Sequence, residues 1–116
     1  MTVRRIVANI ATNRFDAAKA FYGDILQMNV AMDLGWIITF TTDAPTTPQI
    51  SVATEGGSGT PVPDISIEVA NLDDVYQRMV ESGHSIEYGP VTEPWGVKRF
   101  YVRDPFGRLL NILAHG

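Results

Sequence analysis

A few polar side chains interrupt apolar, strand-like stretches, where they could contact a ligand. Asp64, Ser66 and Glu68 alternate with apolar residues in the stretch DISIEVA, so a strand would place all three on one face. Two carboxylates on one face could supply a general base if the pKa of one were raised, or they could be solvated surface groups. Asn111 interrupts the run LLNIL of residues 109–113, where an amide indicates hydrogen bonding rather than acid–base chemistry.

Two tryptophans beside glycines could bind a flat or cationic ligand. The dipeptides Gly35-Trp36 and Trp95-Gly96 fall at expected strand edges or loops, and an indole face attracts a cation by about 0.5–2 kcal/mol. Ordinary packing in the core or at an interface is the alternative, since aromatic residues are enriched there as well. The loop-like stretch EPWG favours a ligand contact for Trp95.

The composition is that of one small globular domain without cysteine chemistry. At 116 residues and 45% hydrophobic, the chain is long enough for a single core, and its lack of cysteine excludes disulfides and thiolate sites. A net charge of −4 disfavours nucleic acids and anionic membranes as partners. His84 and His115 have no companion at metal-ligand spacing and are interpreted as surface residues. No stretch reads as a signal peptide or membrane span, so we expect a cytoplasmic protein.

Hydrophobic periodicity and turn residues predict that a strand, a helix and three strands follow one another twice. The first module begins with a strand over residues 3–11. A helix follows, with Asn13 as its cap and an end near Gln27. Its apolar stripe consists of Phe15, Ala18, Tyr22, Ile25 and Leu26. Three short strands complete the module near 28–33, 36–42 and 49–54.

The second module repeats this order after a glycine-rich connector, residues 55–63, which we interpret as flexible. A strand over 64–70 precedes a helix that Asn71 caps and Gly83 ends. The three strands that complete this module lie near 84–88, 98–103 and 108–114. The two modules, about 3–54 and 64–115, would then form a single domain over residues 1–116.

Alternation within the strands predicts which side chains face a helix and which face a ligand. Four strands have one apolar face, which we expect to lie under the helices: Ile6/Ala8/Ile10, Ile50/Val52, Ile65/Ile67/Val69 and Leu110/Ile112. The opposite faces carry polar residues, among them Asn9, Gln49, Ser51, Asp64, Ser66, Glu68 and Asn111. If the strands come together, these side chains line a small-molecule cleft; the alternative is that they face water or a dimer partner.

Three stretches carry a resemblance to a known family. They are Ala20-Phe21-Tyr22 with GDILQM after it, the second-module opening DISIEVANLDDVYQRMVESG, and FYVRDPFGRLLNIL with its D-P-x-G turn between two strands. In this order they resemble the vicinal oxygen chelate superfamily, which includes glyoxalase I, extradiol dioxygenases, fosfomycin-resistance enzymes and bleomycin-resistance proteins. The resemblance implies an α+β fold in which two βαβββ modules form an eight-stranded, open, curled mixed sheet. That sheet makes a cup around a ligand, with the helices on its outer face.

Enzymes of this superfamily hold a divalent metal in the cup through His, Gln or Glu from the first and last strands of the modules. The resemblance puts Val7, Ser51, Asp64 and Asn111 at those positions. Valine has no donor atom, and neutral serine and asparagine oxygens bind divalent ions poorly, so Asp64 is the one anionic candidate ligand. We therefore expect neither a metal nor another cofactor.

These considerations predict a metal-free binding protein that resembles the bleomycin-resistance type and sequesters a small, aromatic or cationic molecule. The residues expected to contact it are Asn9, Trp36, Ser51, Asp64, Trp95 and Asn111. One alternative is a lyase, isomerase or dioxygenase-like enzyme that uses Asp64 as base or a non-standard metal site. Another is a non-catalytic partner whose polar sheet face forms an oligomer surface. The resemblance also implies a homodimer, in some members with exchanged modules.

Overall fold

A computed structural model of the chain describes residues 3–115, which form eight strands and two short helical segments. The strands are β1 (Val3–Ala11), β2 (Asn29–Asp33), β3 (Ile37–Thr41), β4 (Gln49–Ala53), β5 (Ile65–Val69), β6 (Ile86–Thr92), β7 (Val97–Arg103) and β8 (Leu109–His115). Helix α1 (Phe15–Ala18) continues as a π-helix (Lys19–Ile25), and α2 is Leu72–Glu81. The predicted order of strand, helix and three strands, repeated once, is confirmed.

The strands form an open mixed sheet in the order β2-β3-β4-β1-β5-β8-β7-β6, which confirms the predicted α+β class. The chain divides into two compact units, which we call the N-terminal unit (residues 7–62) and the C-terminal unit (residues 3–6 and 63–115). Strand β1 therefore contributes to both. In each unit the first and last strands of a module pair in parallel, β1 with β4 and β5 with β8.

The core of the N-terminal unit lies between its helical segment and strands β3 and β4. Ile38, Phe40 and Val52 are almost fully buried, and Phe15 and Tyr22 of the helical segment pack against them together with Ala18 and Met28. Burying an apolar side chain of this size stabilises the fold by about 1.5–3 kcal/mol.

The π-helix changes which residues of the first helix reach this core. The Leu26 N–H donates to the Phe21 carbonyl at 3.1 Å, a bond that spans five residues instead of four and adds a residue to the turn. The predicted stripe is therefore correct through Tyr22 but wrong for Ile25 and Leu26, which are exposed. The predicted cap is also wrong, because Arg14 occupies the cap position.

Strand β1 corrects the prediction of which face the helices cover. Ile6 is 61% and Ile10 40% exposed, whereas Val7, on the opposite face, is only 4% exposed. Alternation separates the two faces of a strand but does not tell which one a helix covers, and here the helical segment packs over β3 and β4 instead. For β4, β5 and β8 the prediction is right, since Val52, Val69 and Ile112 lie in the cores.

The C-terminal unit packs α2 against one face of β5, β7 and β8. Its core consists of Val69, Leu72, Phe100, Val102 and Ile112, with Tyr76 of α2 edge-on to Phe100 at 5.4 Å between ring centroids. Asn71 stands at the predicted cap position, although its side chain donates to Asp74 rather than capping a backbone N–H. The predicted end of the helix at Gly83 is confirmed: Gly83 has φ +84°, and His84 N–H donates to the Met79 carbonyl.

The connector between the modules has hydrogen bonds of its own. The Gly56 N–H donates to the Thr60 carbonyl at 2.7 Å, and the Thr60 hydroxyl donates to the Gly57 carbonyl at 2.7 Å. The Glu55 carboxylate accepts from the Gly59 N–H at 3.0 Å. The flexibility of residues 55–63 stays a prediction. Within residues 3–115, none of the helices has the length and apolar character needed to cross a bilayer.

Gly89 provides a test of how closely β6 approaches β7. A Cβ atom on Gly89 would lie 2.5 Å from the Arg99 carbonyl oxygen, and its φ of +75° disfavours any other residue. We expect Gly89→Ala to lower the free energy of unfolding in urea by about 2–4 kcal/mol, because both the contact and the backbone angle are unfavourable.

Gly59→Ala is the matched control, because Gly59 has the same φ of +75° and no described atom within 4 Å of the added Cβ. It should lose only the cost of the backbone angle, about 1 kcal/mol. Equal losses in the two variants would contradict the close approach at Gly89.

Candidate functional site

One face of the C-terminal unit carries a row of polar and aromatic side chains at matched positions of four strands. In register, Tyr88 of β6 lies opposite Tyr101 of β7, Tyr101 opposite Asn111 of β8, and Asn111 opposite Ser66 of β5. The α2 helix covers the other face, so this row is the part of the unit that could meet a ligand.

Arg99 lies two residues before Tyr101 on the same face of β7 and is buried, with 3% of its side chain exposed. Its Nε and Nη2 donate to Glu93 Oε2 at 2.8 and 2.7 Å, and Nη1 donates to the Tyr101 hydroxyl at 3.0 Å. The rings of Tyr88, Trp95 and Tyr101 lie 5.0–5.4 Å from its Cζ atom, within the range of cation–π attraction.

Glu93 makes the burial of Arg99 tolerable. A guanidinium removed from water without a counter-charge is strongly destabilising, and the Glu93 carboxylate, equally buried, supplies that charge. The Tyr88 hydroxyl also donates to Glu93 Oε2, at 2.9 Å. The ion pair and its rings therefore form a closed group, which we call the Arg99 cluster (Tyr88, Glu93, Trp95, Arg99 and Tyr101).

Sequence reasoning placed Trp95 at a ligand but did not find the Arg99 cluster. The available signal was the alternation in VKRFYVR, which puts Arg99 and Tyr101 on the face opposite Phe100 and Val102. The burial of Glu93 could not be read from its loop-like surroundings, because a glutamate beside Pro94 is usually exposed.

Asn111, the amide singled out in the apolar run, is buried with 8% of its surface exposed. Its Nδ2 donates to the Ser66 hydroxyl at 3.1 Å, across the parallel pair of β5 and β8. Its Oδ1 is buried and has no hydrogen-bond donor among residues 3–115. One hydrogen bond thus holds the Asn111 side chain, and its Oδ1 atom can accept another.

Asp64 holds the start of β5 against β8. Its Oδ2 accepts from the Leu109 N–H at 2.9 Å, and its own N–H donates to the Leu109 carbonyl at 2.9 Å. These two bonds give Asp64 a structural task at the strand end.

Glu68, two residues beyond Ser66, belongs to a charged group at the other end of β5. Its carboxylate lies 3.0 Å from Arg5 Nε and 2.9 Å from His115 Nδ1, so His115 has a companion that its sequence position did not reveal. Partial burial alone would raise the pKa of Glu68. The hydrogen bond with His115 and the charge of Arg5 outweigh burial and hold the pKa below its ordinary value.

In the N-terminal unit the polar face also brings predicted residues together. Asn9 of β1 lies opposite Ser51 of β4 in register, and Thr39 of β3 lies opposite Ser51 from the other side. The Ser51 and Thr39 hydroxyls are 2.7 Å apart and hydrogen-bonded, with both residues buried. Trp36 is half-buried at the start of β3, and its carbonyl accepts from the Thr54 N–H.

The residues at the family's metal positions do not fit a divalent cation. Val7 has no donor atom, the Ser51 hydroxyl is bonded to Thr39, and Asn111 offers one neutral oxygen, Oδ1, while its Nδ2 is bonded to Ser66. Asp64 offers one carboxylate, whereas zinc, magnesium and calcium sites use histidines, thiolates or several carboxylate oxygens. In the described part of the chain, no three His, Asp or Glu side chains cluster in a way that could hold a metal ion.

The fold agrees with the family whose model matches the chain. A model of the Glyoxalase/Bleomycin resistance protein/Dioxygenase superfamily matches residues 4–112. The chain belongs to this superfamily, as the resemblance predicted. No curated protein matches it in sequence.

Among solved structures, three similar ones illustrate the range of the fold. A glyoxalase/bleomycin resistance protein/dioxygenase superfamily member from Vibrio splendidus has a TM-score of 0.69 at 20% identity, covering 98% of this chain and 99% of that one. Methylmalonyl-CoA epimerase from Streptomyces coelicolor has a TM-score of 0.71 at 17% identity, covering 98% and 96%. The Mn(II)-bound glyoxalase from Novosphingobium aromaticivorans has a TM-score of 0.62 at 17% identity, covering 97% and 38%. At these identities the likeness establishes the fold alone.

The Arg99 cluster generates a prediction about charge. Glu93→Leu leaves the Arg99 guanidinium buried without its partner, so we expect the free energy of unfolding in urea to fall by about 3–5 kcal/mol. Glu93→Leu combined with Arg99→Met removes both charges and should be more stable than Glu93→Leu alone. Additive losses in this double-mutant cycle would contradict the pairing; if Glu93→Leu does not fold, Glu93→Gln takes its place in the cycle.

The Glu68 group predicts a pH-dependent contribution to stability. Because the pKa of Glu68 is lower in the folded than in the unfolded state, its contribution is complete above the unfolded value and is lost as pH falls through the folded one. Glu68→Gln should therefore lower the free energy of unfolding by up to about 1 kcal/mol at neutral pH. This difference from wild type should shrink in acid, as the Glu68 carboxylate takes up its proton in both states. Urea denaturation at both pH values measures it, and a difference that persists in acid would refute the assignment.

Proposed function

We propose that the protein binds a small molecule without a metal ion, as a member of the superfamily similar in character to bleomycin-resistance proteins. The observation that carries this proposal is the donor set at the family's metal positions. Valine offers no ligand there, the serine hydroxyl is hydrogen-bonded to a neighbour, asparagine offers one neutral oxygen, and one carboxylate remains. A binding protein needs polar contacts and apolar area but no Lewis acid.

The proposed contacts are the six residues that the sequence singled out. Asn9, Ser51 and Trp36 belong to the N-terminal unit, and Asp64, Trp95 and Asn111 to the C-terminal unit. Sequestration would then follow from affinity alone, without a change in the bonds of the ligand.

An aromatic or cationic ligand is supported by the charges of the described residues. The charge of Arg99 is cancelled by Glu93, and its guanidinium is enclosed by three rings, which makes it a poor anion receptor. The net charge of the chain is −4, which also favours a neutral or cationic ligand over an anionic one.

A metal-independent enzyme is the second candidate function. The observation that favours it is the 2.9 Å contact between His115 Nδ1 and Glu68, because a carboxylate-oriented imidazole is a common general base. His115 shares a strand face with Asn111 and is 55% exposed on its side chain, so a substrate could reach it. Asp64 is a weaker candidate for the base than sequence reasoning suggested, since its Oδ2 already accepts from Leu109.

The proposal includes a cytoplasmic homodimer. Ile6 and Ile10, on one face of β1, are exposed large apolar residues of the kind that a subunit interface would cover. The dimer and the compartment both stay predictions.

The test combines metal content with binding of an aromatic cation. After incubation with Zn²⁺ or Mn²⁺ and desalting, we expect mass spectrometry to find well under one metal ion per chain. Benzamidinium should quench tryptophan fluorescence with the same affinity before and after dialysis against EDTA. Trp95→Phe and Trp36→Phe should each remove part of the quenching, because both tryptophans are proposed contacts.

Stoichiometric metal, or binding that disappears with EDTA, would overturn the metal-free proposal. Turnover that survives EDTA and is lost in His115→Gln would replace it with the second candidate. These readouts are independent, so each candidate can fail alone.

A further inference from the structure

On the polar face of the C-terminal unit, one buried acceptor atom has no hydrogen-bond partner among the described residues. Asn111 Oδ1 is buried and has no donor within residues 3–115, while Nδ2 of the same amide is bonded to Ser66. Arg5 Nε, which is also buried, lies 3.0 Å from Glu68 Oε1 in an ion pair. Asn111 therefore differs from its neighbours in keeping an acceptor without a partner.

Such an acceptor is unfavourable unless something bonds to it. A buried carbonyl oxygen has given up its hydrogen bonds to water, and the bond from Nδ2 to Ser66 does not satisfy it. Leu109 and Leu113, the residues two positions away on the same face of β8, are apolar and buried. Leucine at position 111 would have continued this pattern without an unmet acceptor.

The surroundings of Asn111 offer little to an anion. Three nitrogens of Arg99 already donate to Glu93 or Tyr101, and Glu93 neutralises the charge. The two carboxylates on the same face of β5, Asp64 and Glu68, each lie two residues from Ser66, and Glu68 balances the charge of Arg5, so this strand adds no free positive charge.

We infer that Asn111 recognises the ligand through Oδ1, so that this site selects molecules with an N–H or O–H donor, neutral or cationic, over anions and pure acceptors. This inference rests on the proposed small-molecule binding. It makes Asn111 a specificity-determining residue. The family resemblance puts Asn111 at a position where metal enzymes of the superfamily carry a metal ligand.

Four small aromatic probes of nearly equal size separate donor recognition from general apolar binding. Benzamide and benzamidinium carry N–H donors, whereas methyl benzoate and benzoate carry only acceptors. Their binding can be followed in ¹H–¹⁵N NMR spectra by the shift of the Trp95 indole N–H, which also reports whether each variant is folded. We expect the two donor probes to bind at least about tenfold more tightly than the two acceptor probes, as one well-placed hydrogen bond allows.

Variants at Asn111 identify the atom responsible. Asn111→Leu should reduce the advantage of benzamide over methyl benzoate to about twofold or less and leave the affinity for methyl benzoate almost unchanged. Asn111→Asp keeps an acceptor but has no side-chain donor, so it should retain the advantage of benzamide and bind benzamidinium more tightly than wild type. Asn29→Leu removes an exposed strand amide of the N-terminal unit and should leave the ranking of the probes unchanged.

The outcomes distinguish a failure of donor recognition by Asn111 from a failure of the proposed small-molecule binding. Equal binding of all four probes, a preference for benzoate, or loss of benzamide binding in Asn111→Asp would overturn donor recognition while small-molecule binding stands. If none of the probes shifts any resonance of the folded wild-type protein, the proposed function fails and takes the inference with it. Should Asn111→Leu not fold, the comparison of wild type with Asn111→Asp still decides the question.

Discussion

Parallel pairing of the first and last strands within each module puts their side chains in register, and the candidate site depends on this register. In the C-terminal unit it sets Ser66 against Asn111, and in the N-terminal unit it sets Asn9 against Ser51. Because side chains alternate along each strand, the same pairing gathers apolar residues such as Ile67 and Ile112 on the helix side. One constraint of backbone geometry thus builds both the core and the polar face.

A buried charge gives the polar face of the C-terminal unit its electrostatic character. Arg99 lies in the middle of β7, and its charge is tolerated because Glu93 is buried beside it. The surrounding tyrosine and tryptophan rings add attraction for the cation and exclude water. The result is a neutral ion pair rather than a free positive charge, which supports the proposed preference for neutral or cationic ligands.

The superfamily positions that hold a metal elsewhere have other tasks in this chain. Val7 is part of the buried interior, Ser51 bonds to Thr39, and Asp64 ties β5 to the start of β8. Asn111 is the exception, since one of its polar atoms stays without a partner among the described residues.

By itself, the sequence determined the order of the elements, the two faces of most strands, the end of α2 at Gly83 and the donor types at the family's metal positions. These features follow from alternation, turn residues and side-chain chemistry, which are local properties. Only the tertiary structure decided that the Ile6 and Ile10 face of β1 is exposed, that a π-helix turns Ile25 and Leu26 away from the core, and that Glu68 meets His115. Such outcomes depend on which surfaces pack together and which residues meet across distant strands, and periodicity along a single segment carries no information about either.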